Sequence, residues 1–126
     1  MTHDQVQEWL DRYVTAWTSS DPEAIRDLFA NDATYGYRPW DSEQTTARGA
    51  DAIVAGWLES PDDASSWEAA YAPYAVEGDR AVALGTTRYF ASGDHAERTY
   101  HNAFILRFDE NGKCSEFNEF YVLRKD

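Results

Sequence analysis

The sequence contains one cysteine, few basic residues and no long apolar run, and each of these absences excludes a class of protein. Cys114 cannot form an internal disulfide, which fits a reducing compartment or a fold that needs no covalent cross-link. Lys and Arg number 11 against 23 Asp and Glu, and the formal net charge of −12 argues against nucleic acid and anionic membranes as partners. No stretch approaches the ~18–20 apolar residues of a membrane-spanning helix, and residues 1–5 lack the character of a signal peptide. We therefore expect a cytoplasmic protein.

The apolar periodicity predicts a single α+β domain over residues 1–126. Apolar residues recur at helical spacing from Val6 to Trp17, and a third helix runs from 49–51 to 61–63. Between them a second and shorter helix begins within 20–23 and buries Ile25, Leu28 and Phe29. Strands are predicted at residues 33–38, 67–76, 80–90, 100–108 and 114–122, the first of them as a short edge strand. Pro73 predicts an edge position or a bulge in the second. In this ααβαββββ order the helices come first and an antiparallel meander follows, which places the helices on one face of the sheet.

The last two predicted strands form a hairpin whose turn contains Asn111-Gly112, a dipeptide typical of tight β connections. Side chains in a strand alternate between the two faces, so one face collects Tyr100, Asn102, Phe104, Leu106, Phe108, Ser115, Phe117, Glu119 and Tyr121. Asn102 and Glu119 are polar groups set into this apolar wall. A buried carboxylate is costly unless it is paired or its pKa rises. Glu119 is therefore a candidate acid or base, or else a partner of Arg88 or a water-exposed residue at a cavity mouth.

Five short segments, in this order and spacing, give the chain a family resemblance. They are RYVTAW at 12–17, DPEAI at 21–25, LFANDA at 28–33, RGADAI at 48–53 and FDENGK at 108–113. With them the chain resembles the nuclear transport factor 2-like superfamily and, within it, the SnoaL-like group. The resemblance implies a cone in which a curved antiparallel or mixed sheet wraps three helices around an open cavity. Members include ketosteroid isomerases, scytalone dehydratases, polyketide cyclases, limonene-epoxide hydrolases and non-catalytic binding modules, so the fold alone does not define the function.

The resemblance also assigns roles to single residues, and both enzyme patterns are incomplete. Tyr13 falls where ketosteroid isomerases keep the phenol that donates to the developing oxyanion, whereas Tyr37 and Phe104 replace their two Asp residues. Steroid isomerase activity is therefore not expected.

Limonene-epoxide hydrolases give a closer but still partial match. Glu119 falls on their last-strand carboxylate, Tyr35 on their water-positioning Tyr and Tyr37 on their Asn. Arg88 lies near their bridging Arg, and residue 85 or 86 replaces their second Asp. The missing carboxylate argues against epoxide hydrolysis by the same triad.

Taken together, these observations predict a small-molecule cavity protein without a cofactor. The leading hypothesis is an acid/base enzyme of the isomerase, cyclase, dehydratase or hydrolase type that acts on an apolar oxygenated substrate, with Glu119, Asn102 and Tyr35 as catalytic residues. The predicted substrate-binding residues are Tyr13, Trp17, Tyr37, Trp57, Trp67, Arg88, Phe104, Phe117 and Tyr121. The alternative is a non-catalytic module that binds a ligand or a protein with the same cavity. His and Cys residues do not occur at ligand spacing, so no metal site is predicted.

The opposite face of the predicted sheet is also apolar. It would carry Ala83, Thr87, Tyr89, Ala103, Ile105, Phe120 and Val122, and Arg88 would lie on the inner face with Val82, Leu84 and Thr86. Three helices cover only one face of the sheet. We therefore expect a homodimer through the outer sheet face, as the family resemblance also implies.

Overall fold

The computed structural model describes residues 1–36, 47–59 and 65–125, in which three helices pack against a mixed six-stranded sheet. The helices are α1 (His3–Ser19), α2 (Pro22–Leu28) and α3 (Ala50–Glu59). The strands are β1 (Phe29–Gly36), β2 (Ala47–Arg48), β3 (Trp67–Glu77), β4 (Arg80–Tyr89), β5 (Arg98–Phe108) and β6 (Cys114–Leu123). No helix in this part of the chain is both long enough and apolar enough to span a lipid bilayer. The predicted α+β architecture is confirmed.

The sheet has the strand order β2-β1-β6-β5-β4-β3. Strands β3 to β6 form the predicted antiparallel meander, whereas β1 pairs with β6 in parallel and with β2 antiparallel. The first strand was expected to be a short edge strand starting at residue 33. It instead starts at Phe29, which was expected in the second helix, and lies between two neighbours. Pairing of Phe29 with Cys114 of β6 outweighs the local helical pattern.

Helix α1 begins and ends with local capping. Thr2 and Gln5 form a capping box, and Ser20 ends the helix in the left-handed conformation with φ of 53°. The buried stripe of α1 consists of Val6, Trp9, Leu10, Tyr13 and Ala16. Asp21 caps α2 by accepting a hydrogen bond from the backbone N–H of Glu23. This packing turns Tyr13 toward the sheet.

Strand β3 lies at the edge of the sheet, and its pairing with β4 shifts register between Pro73 and Ala75. Both features follow from proline, which has no N–H to donate to a ladder. The sequence predicted an edge position or a bulge for Pro73.

The predicted facing of the β5–β6 hairpin is confirmed for its core residues, since Phe104, Leu106, Phe108 and Phe117 are all buried. One local difference concerns Ser115, which was expected on the inner face. Phe108 pairs with Cys114 and Arg107 with Glu116, so Ser115 is an extra residue in a bulge. Cys114 is consequently the buried residue at this position.

The predicted facing of β4 is wrong. Ala81, Ala83 and Thr87 are buried, whereas Leu84 is 43% exposed on the outer face. The set that faces outward is the more apolar of the two, so periodicity alone favours the wrong face. The small residues face inward because the aromatic rings that fill the core leave little space beneath β4. Tyr71, for example, packs on Phe104 with 4.6 Å between ring centroids.

Candidate functional site

A pocket of about 400 Å³, the central pocket, lies between α1, α3 and the inner face of the sheet. It is lined by aromatic and polar side chains of six elements: Tyr13 and Trp17 of α1, Tyr35 of β1, Gly56 and Trp57 of α3, Thr87 and Tyr89 of β4, Arg98, Tyr100 and Asn102 of β5, and Glu119 and Tyr121 of β6. Residues far apart in the sequence therefore meet in one space of a size suited to a small molecule.

Four side chains form a directed hydrogen-bond chain that ends on Glu119. The hydroxyls of Tyr71 and Thr87 lie 2.5 Å apart, and Thr87 Oγ1 donates to Asn102 Oδ1 over 2.9 Å. Asn102 Nδ2 then donates to Glu119 Oε2 over 2.7 Å. Because the single proton of Thr87 is given to Asn102, the phenol of Tyr71 donates to Thr87. This chain fixes the Asn102 amide with its N–H₂ group toward the carboxylate.

Glu119 has the electrostatic properties of an acid/base residue. Burial raises the pKa of its carboxyl from 4.5 to about 7, and the hydrogen bond from Asn102 acts in the opposite direction. Within residues 1–36, 47–59 and 65–125, no group donates a hydrogen bond to the second carboxylate oxygen, Oε1. Since Glu119 lines the central pocket, its carboxyl can gain or lose a proton near neutral pH where a ligand would lie.

A pair of phenols lines the pocket as well. The hydroxyls of Tyr13 and Tyr35 lie 3.1 Å apart and share one hydrogen bond. Tyr35 stacks on Phe117 with ring centroids 4.3 Å apart, and Trp57 packs edge-on against Tyr13 at 5.2 Å. Burial raises the pKa of Tyr13 well above its ordinary value, so the phenol stays protonated and remains a hydrogen-bond donor.

Several of the predicted catalytic and substrate-binding residues line the pocket, and others support its wall. Tyr13, Trp17, Tyr35, Trp57, Asn102, Glu119 and Tyr121 line it. Phe104 and Phe117 are buried in the core behind the lining residues, and Trp67 stacks on Trp17 with 4.1 Å between ring centroids. Tyr37 lies outside the described residues.

Arg88 was expected to support Glu119, and this expectation is wrong. Arg88 lies on the outer face of β4, where its Nε donates to Glu97 over 2.6 Å and its Nη1 donates to Glu68 over 3.3 Å. The cause is the inverted facing of β4 described above. Asn102, rather than an arginine, holds the Glu119 carboxylate.

Sequence reasoning missed Tyr71 and Thr87, because Thr87 was assigned to the outer face. One signal was available in Gly85, which pairs with Tyr71 on β3 and with Asn102 on β5. A Cβ atom at Gly85 would overlap the carbonyl oxygen of Ala70 and the ring of Tyr71. A glycine inside a strand often marks such a close approach, and here it lets the Tyr71 phenol reach Thr87.

Metal-ligating side chains do not cluster in the part of the chain that the structure describes: no group of three His, Cys, Asp or Glu residues lies close enough to hold an ion. Cys114 is buried, and burial raises the pKa of its thiol, which keeps it protonated.

Solved structures with the same fold support this architecture. An NTF2-like protein of unknown function from Burkholderia xenovorans LB400 has a TM-score of 0.70 at 20% identity, with 98% of this chain and 87% of that chain covered. An NTF2-like protein of unknown function from Cytophaga hutchinsonii has a TM-score of 0.67 at 13% identity, with 92% and 98% covered. An LEH-like epoxide hydrolase from M. tuberculosis has a TM-score of 0.67 at 8% identity, with 95% and 84% covered.

Comparison at the sequence level identifies the family. No curated protein matches the chain significantly. A sequence model of the SnoaL-like domain matches residues 10–117, which contain α1 from Leu10 onward, α2, α3, strands β1 to β5, and β6 up to Phe117. This match confirms the resemblance seen in the five short segments, and the chain belongs to the SnoaL-like domain family.

Proposed function

We propose that the protein binds a small apolar oxygenated molecule in the central pocket and transforms it by acid/base chemistry without a cofactor. The observation that carries the proposal is the position of Glu119. Its carboxyl lines the pocket with a pKa raised to about 7, and one of its two oxygens is fixed by Asn102. A carboxyl group that changes protonation near working pH is suited to take a proton from a substrate and return it.

The phenol pair would supply the second part of the chemistry. When Glu119 removes a proton next to a carbonyl, or activates a water molecule, negative charge develops on a substrate oxygen. The hydroxyls of Tyr13 and Tyr35 lie together in the pocket, and the Tyr13 phenol stays protonated because burial raises its pKa, so the pair is suited to donate to that oxygen. Asn102 would position Glu119, and Tyr35 would also orient a water molecule or a substrate oxygen.

The number of carboxylates in the pocket favours chemistry that needs a single acid/base group. Among the residues that line the described pocket, Glu119 is the sole carboxylate. Isomerisation, cyclisation, dehydration and addition of water each require proton transfer and positioning, and one such group can serve them. The LEH-like epoxide hydrolase from M. tuberculosis has the same fold, and hydrolysis of an epoxide is an addition of water.

The alternative is a non-catalytic binding protein, and the aromatic lining is the observation that favours it. The rings of Trp17, Tyr35 and Trp57 offer extensive apolar contact that requires no proton transfer. Glu119→Gln separates the two functions, because the amide keeps the shape of the side chain but cannot accept a proton as a base.

The test uses a panel of enolisable ketones and epoxides incubated with the protein in D₂O and followed by NMR. We expect deuterium exchange or product formation with the parent and its loss with Glu119→Gln, while affinity for the same compound is retained. Glu116→Gln is the matched control, because it removes the same charge from β6 at an exposed position. Glu116 lies on the opposite face of the strand from Glu119 and pairs with Arg107. Equal turnover by the parent and Glu119→Gln would refute the enzymatic function.

We further propose that two copies associate through the outer sheet face. Leu84, Ile105 and Val122 are 43%, 45% and 68% exposed there on adjacent strands. Apolar residues exposed side by side on a sheet favour burial against a second surface. The outer face differs from the one predicted from the sequence. Ala83, Thr87 and Tyr89 face inward, and Leu84 of the same strand is instead exposed on the outer face.

A further inference from the structure

The rim of the central pocket carries a cation that lies over an aromatic ring. Arg98 and Tyr89 are paired residues at the ends of β5 and β4, and the guanidinium carbon of Arg98 lies 4.6 Å from the centroid of the Tyr89 ring. Tyr100 packs edge-on against Tyr89 at 6.0 Å, and Tyr121 packs edge-on against Tyr100 at 5.7 Å. All four side chains line the pocket. A guanidinium that lies over a ring keeps its N–H groups at its edge, where they can bind another group.

The charge environment of Arg98 differs from that of three other arginines in this acidic chain. Arg26 pairs with Asp51, Arg88 pairs with Glu97 and Arg107 pairs with Glu116. Arg98 has no Asp or Glu carboxylate within 4.0 Å among the described residues. The chain has 23 acidic residues against 11 basic ones, so carboxylates are abundant as partners for an arginine. Because Arg98 faces the pocket and pairs with none of those described, its N–H donors can bind an external anion.

We propose that the ligand of the central pocket carries an anionic oxygen group, of the carboxylate or sulfonate class, which Arg98 binds at the rim. The inference rests on the proposed function, because it assigns the substrate class of the same pocket. Arg98 and Asn102 lie on one face of β5, four residues and about 13 Å apart along the strand. The ligand is therefore elongated, with an anionic end at Arg98, an apolar middle against the tyrosines and a reacting end at Asn102 and Glu119.

The net charge of the protein makes Arg98 decisive for such a ligand. A surface with a formal charge of −12 repels anions, so a pocket without a local cation would select neutral molecules. A guanidinium can bind a carboxylate or sulfonate through two parallel N–H donors, and such charge-assisted bonds are about twice as strong as neutral ones. Removing this cation should therefore affect anionic ligands selectively.

Two fluorescent dyes with the same skeleton test the proposal. 8-Anilinonaphthalene-1-sulfonate carries a sulfonate, and N-phenyl-1-naphthylamine is its neutral analogue. Each dye is titrated into the parent, Arg98→Gln and Arg80→Gln. The control removes the same charge at Arg80, an exposed residue at the start of β4 that does not line the pocket. Circular dichroism melts check that all three proteins are folded, as expected for substitutions of exposed residues.

We expect Arg98→Gln to weaken binding of the sulfonate dye by about tenfold or more, because the variant loses a charge-assisted contact. The Kd of the neutral dye should change less than twofold. Arg80→Gln should leave both affinities within twofold of the parent.

If both dyes bind the parent and Arg98→Gln leaves the sulfonate dye unaffected, the anion site is refuted while ligand binding in the pocket stands. If the two arginine variants weaken the sulfonate dye equally, net charge explains the effect and the assignment to Arg98 is wrong. If neither dye binds the parent, both the anion site and the proposed binding function are contradicted.

Discussion

Asn102 Nδ2 donates to Glu119 Oε2 across the β5–β6 ladder over 2.7 Å, although the two residues are not direct partners in the sheet. Asn102 pairs with Tyr121, and Glu119 pairs with Phe104. The contact is thus a diagonal one between same-face neighbours, within reach of side chains of this length. It orients one carboxylate oxygen by a bond whose own geometry is set by Thr87 and Tyr71. The acid/base candidate is therefore held by neutral groups rather than by a countercharge.

The first prediction concerns the pH dependence of stability. The pKa of Glu119 is about 7 in the folded protein against 4.5 ordinarily, so between these values the unfolded chain releases a proton that the folded protein keeps. Stability of the parent should fall as pH rises from about 4.5 to 7, by at most about 3 kcal/mol from this group. Glu119→Gln has no ionisable group at this position, so its stability should not fall for this reason as pH rises. Urea denaturation at several pH values between 4.5 and 8 should show the variant gaining on the parent as pH rises, and parallel curves would contradict the prediction.

The second prediction concerns the role of Asn102. Its hydrogen bond favours the charged form of Glu119, so Asn102→Leu should raise the pKa of Glu119 further above 7. Carboxyl chemical shifts in ¹³C-labelled protein, titrated by NMR, measure this change. Asn118→Leu on the opposite facing of β6 is the control. A pKa of Glu119 that is unchanged in Asn102→Leu would show that the amide does not hold the carboxylate.

The third prediction tests the buried hydroxyl of Thr87. Thr87→Val preserves shape but leaves the Tyr71 hydroxyl without its acceptor and Asn102 Oδ1 without its donor. Each buried polar group that loses its partner costs about 1–3 kcal/mol. Thr87→Ser keeps both bonds and loses one methyl group, at about 1 kcal/mol. Denaturant unfolding should rank Thr87→Val below Thr87→Ser, and the reverse order would mean that the hydrogen-bond chain contributes little.

The fourth prediction compares two glycines. Gly85→Ala should destabilise the protein by about 1–3 kcal/mol or more, because its Cβ would overlap the Tyr71 ring and the Ala70 carbonyl. Gly56→Ala in α3 meets no atom within 4 Å and should stabilise the protein by about 0.5–1 kcal/mol through helix propensity. Thermal unfolding of both variants is the measurement. Similar melting temperatures for the two variants would contradict the close packing of Tyr71 on β4.

The fifth prediction tests association through the outer sheet face. Ile105→Lys places a charge in the middle of that face and should convert a dimer to a monomer at micromolar concentration, as measured by size-exclusion chromatography with light scattering. Ala52→Lys adds the same charge on the exposed surface of α3 and should leave the mass unchanged. Elution of the parent as a monomer would refute the dimer.

The parts of the fold that were predictable from the sequence are those with one dominant pattern. The stripe of α1 and the alternation of β5 each separate large apolar residues from polar ones, so Tyr13, Asn102 and Phe104 were placed correctly. The face of Glu119 followed in the same way from Phe117, two residues before it on β6.

The facing of β4 was not predictable by the same rule. The more apolar of its two alternating sets, which contains Val82 and Leu84, faces outward, because the space left by Tyr71 and Phe104 admits only small side chains beneath the strand. As a result, Arg88 lies on the outer face instead of in the site, and Thr87 lies in the site instead of on the outer face. Tertiary packing, which no local pattern encodes, therefore determined half of the hydrogen-bond chain.

The exposed turn between β4 and β5, where Ser92 and His95 form an isolated bridge, divides the chain into two unequal pieces. The longer piece contains the hydrogen-bonded phenols of Tyr13 and Tyr35 together with Tyr71 and Thr87, and the shorter one contains Asn102 and Glu119. Neither fragment alone contains the complete hydrogen-bond chain from Tyr71 to Glu119. Cleavage at this turn would accordingly yield a split protein in which the Thr87–Asn102 hydrogen bond forms again only when the two halves have reassociated.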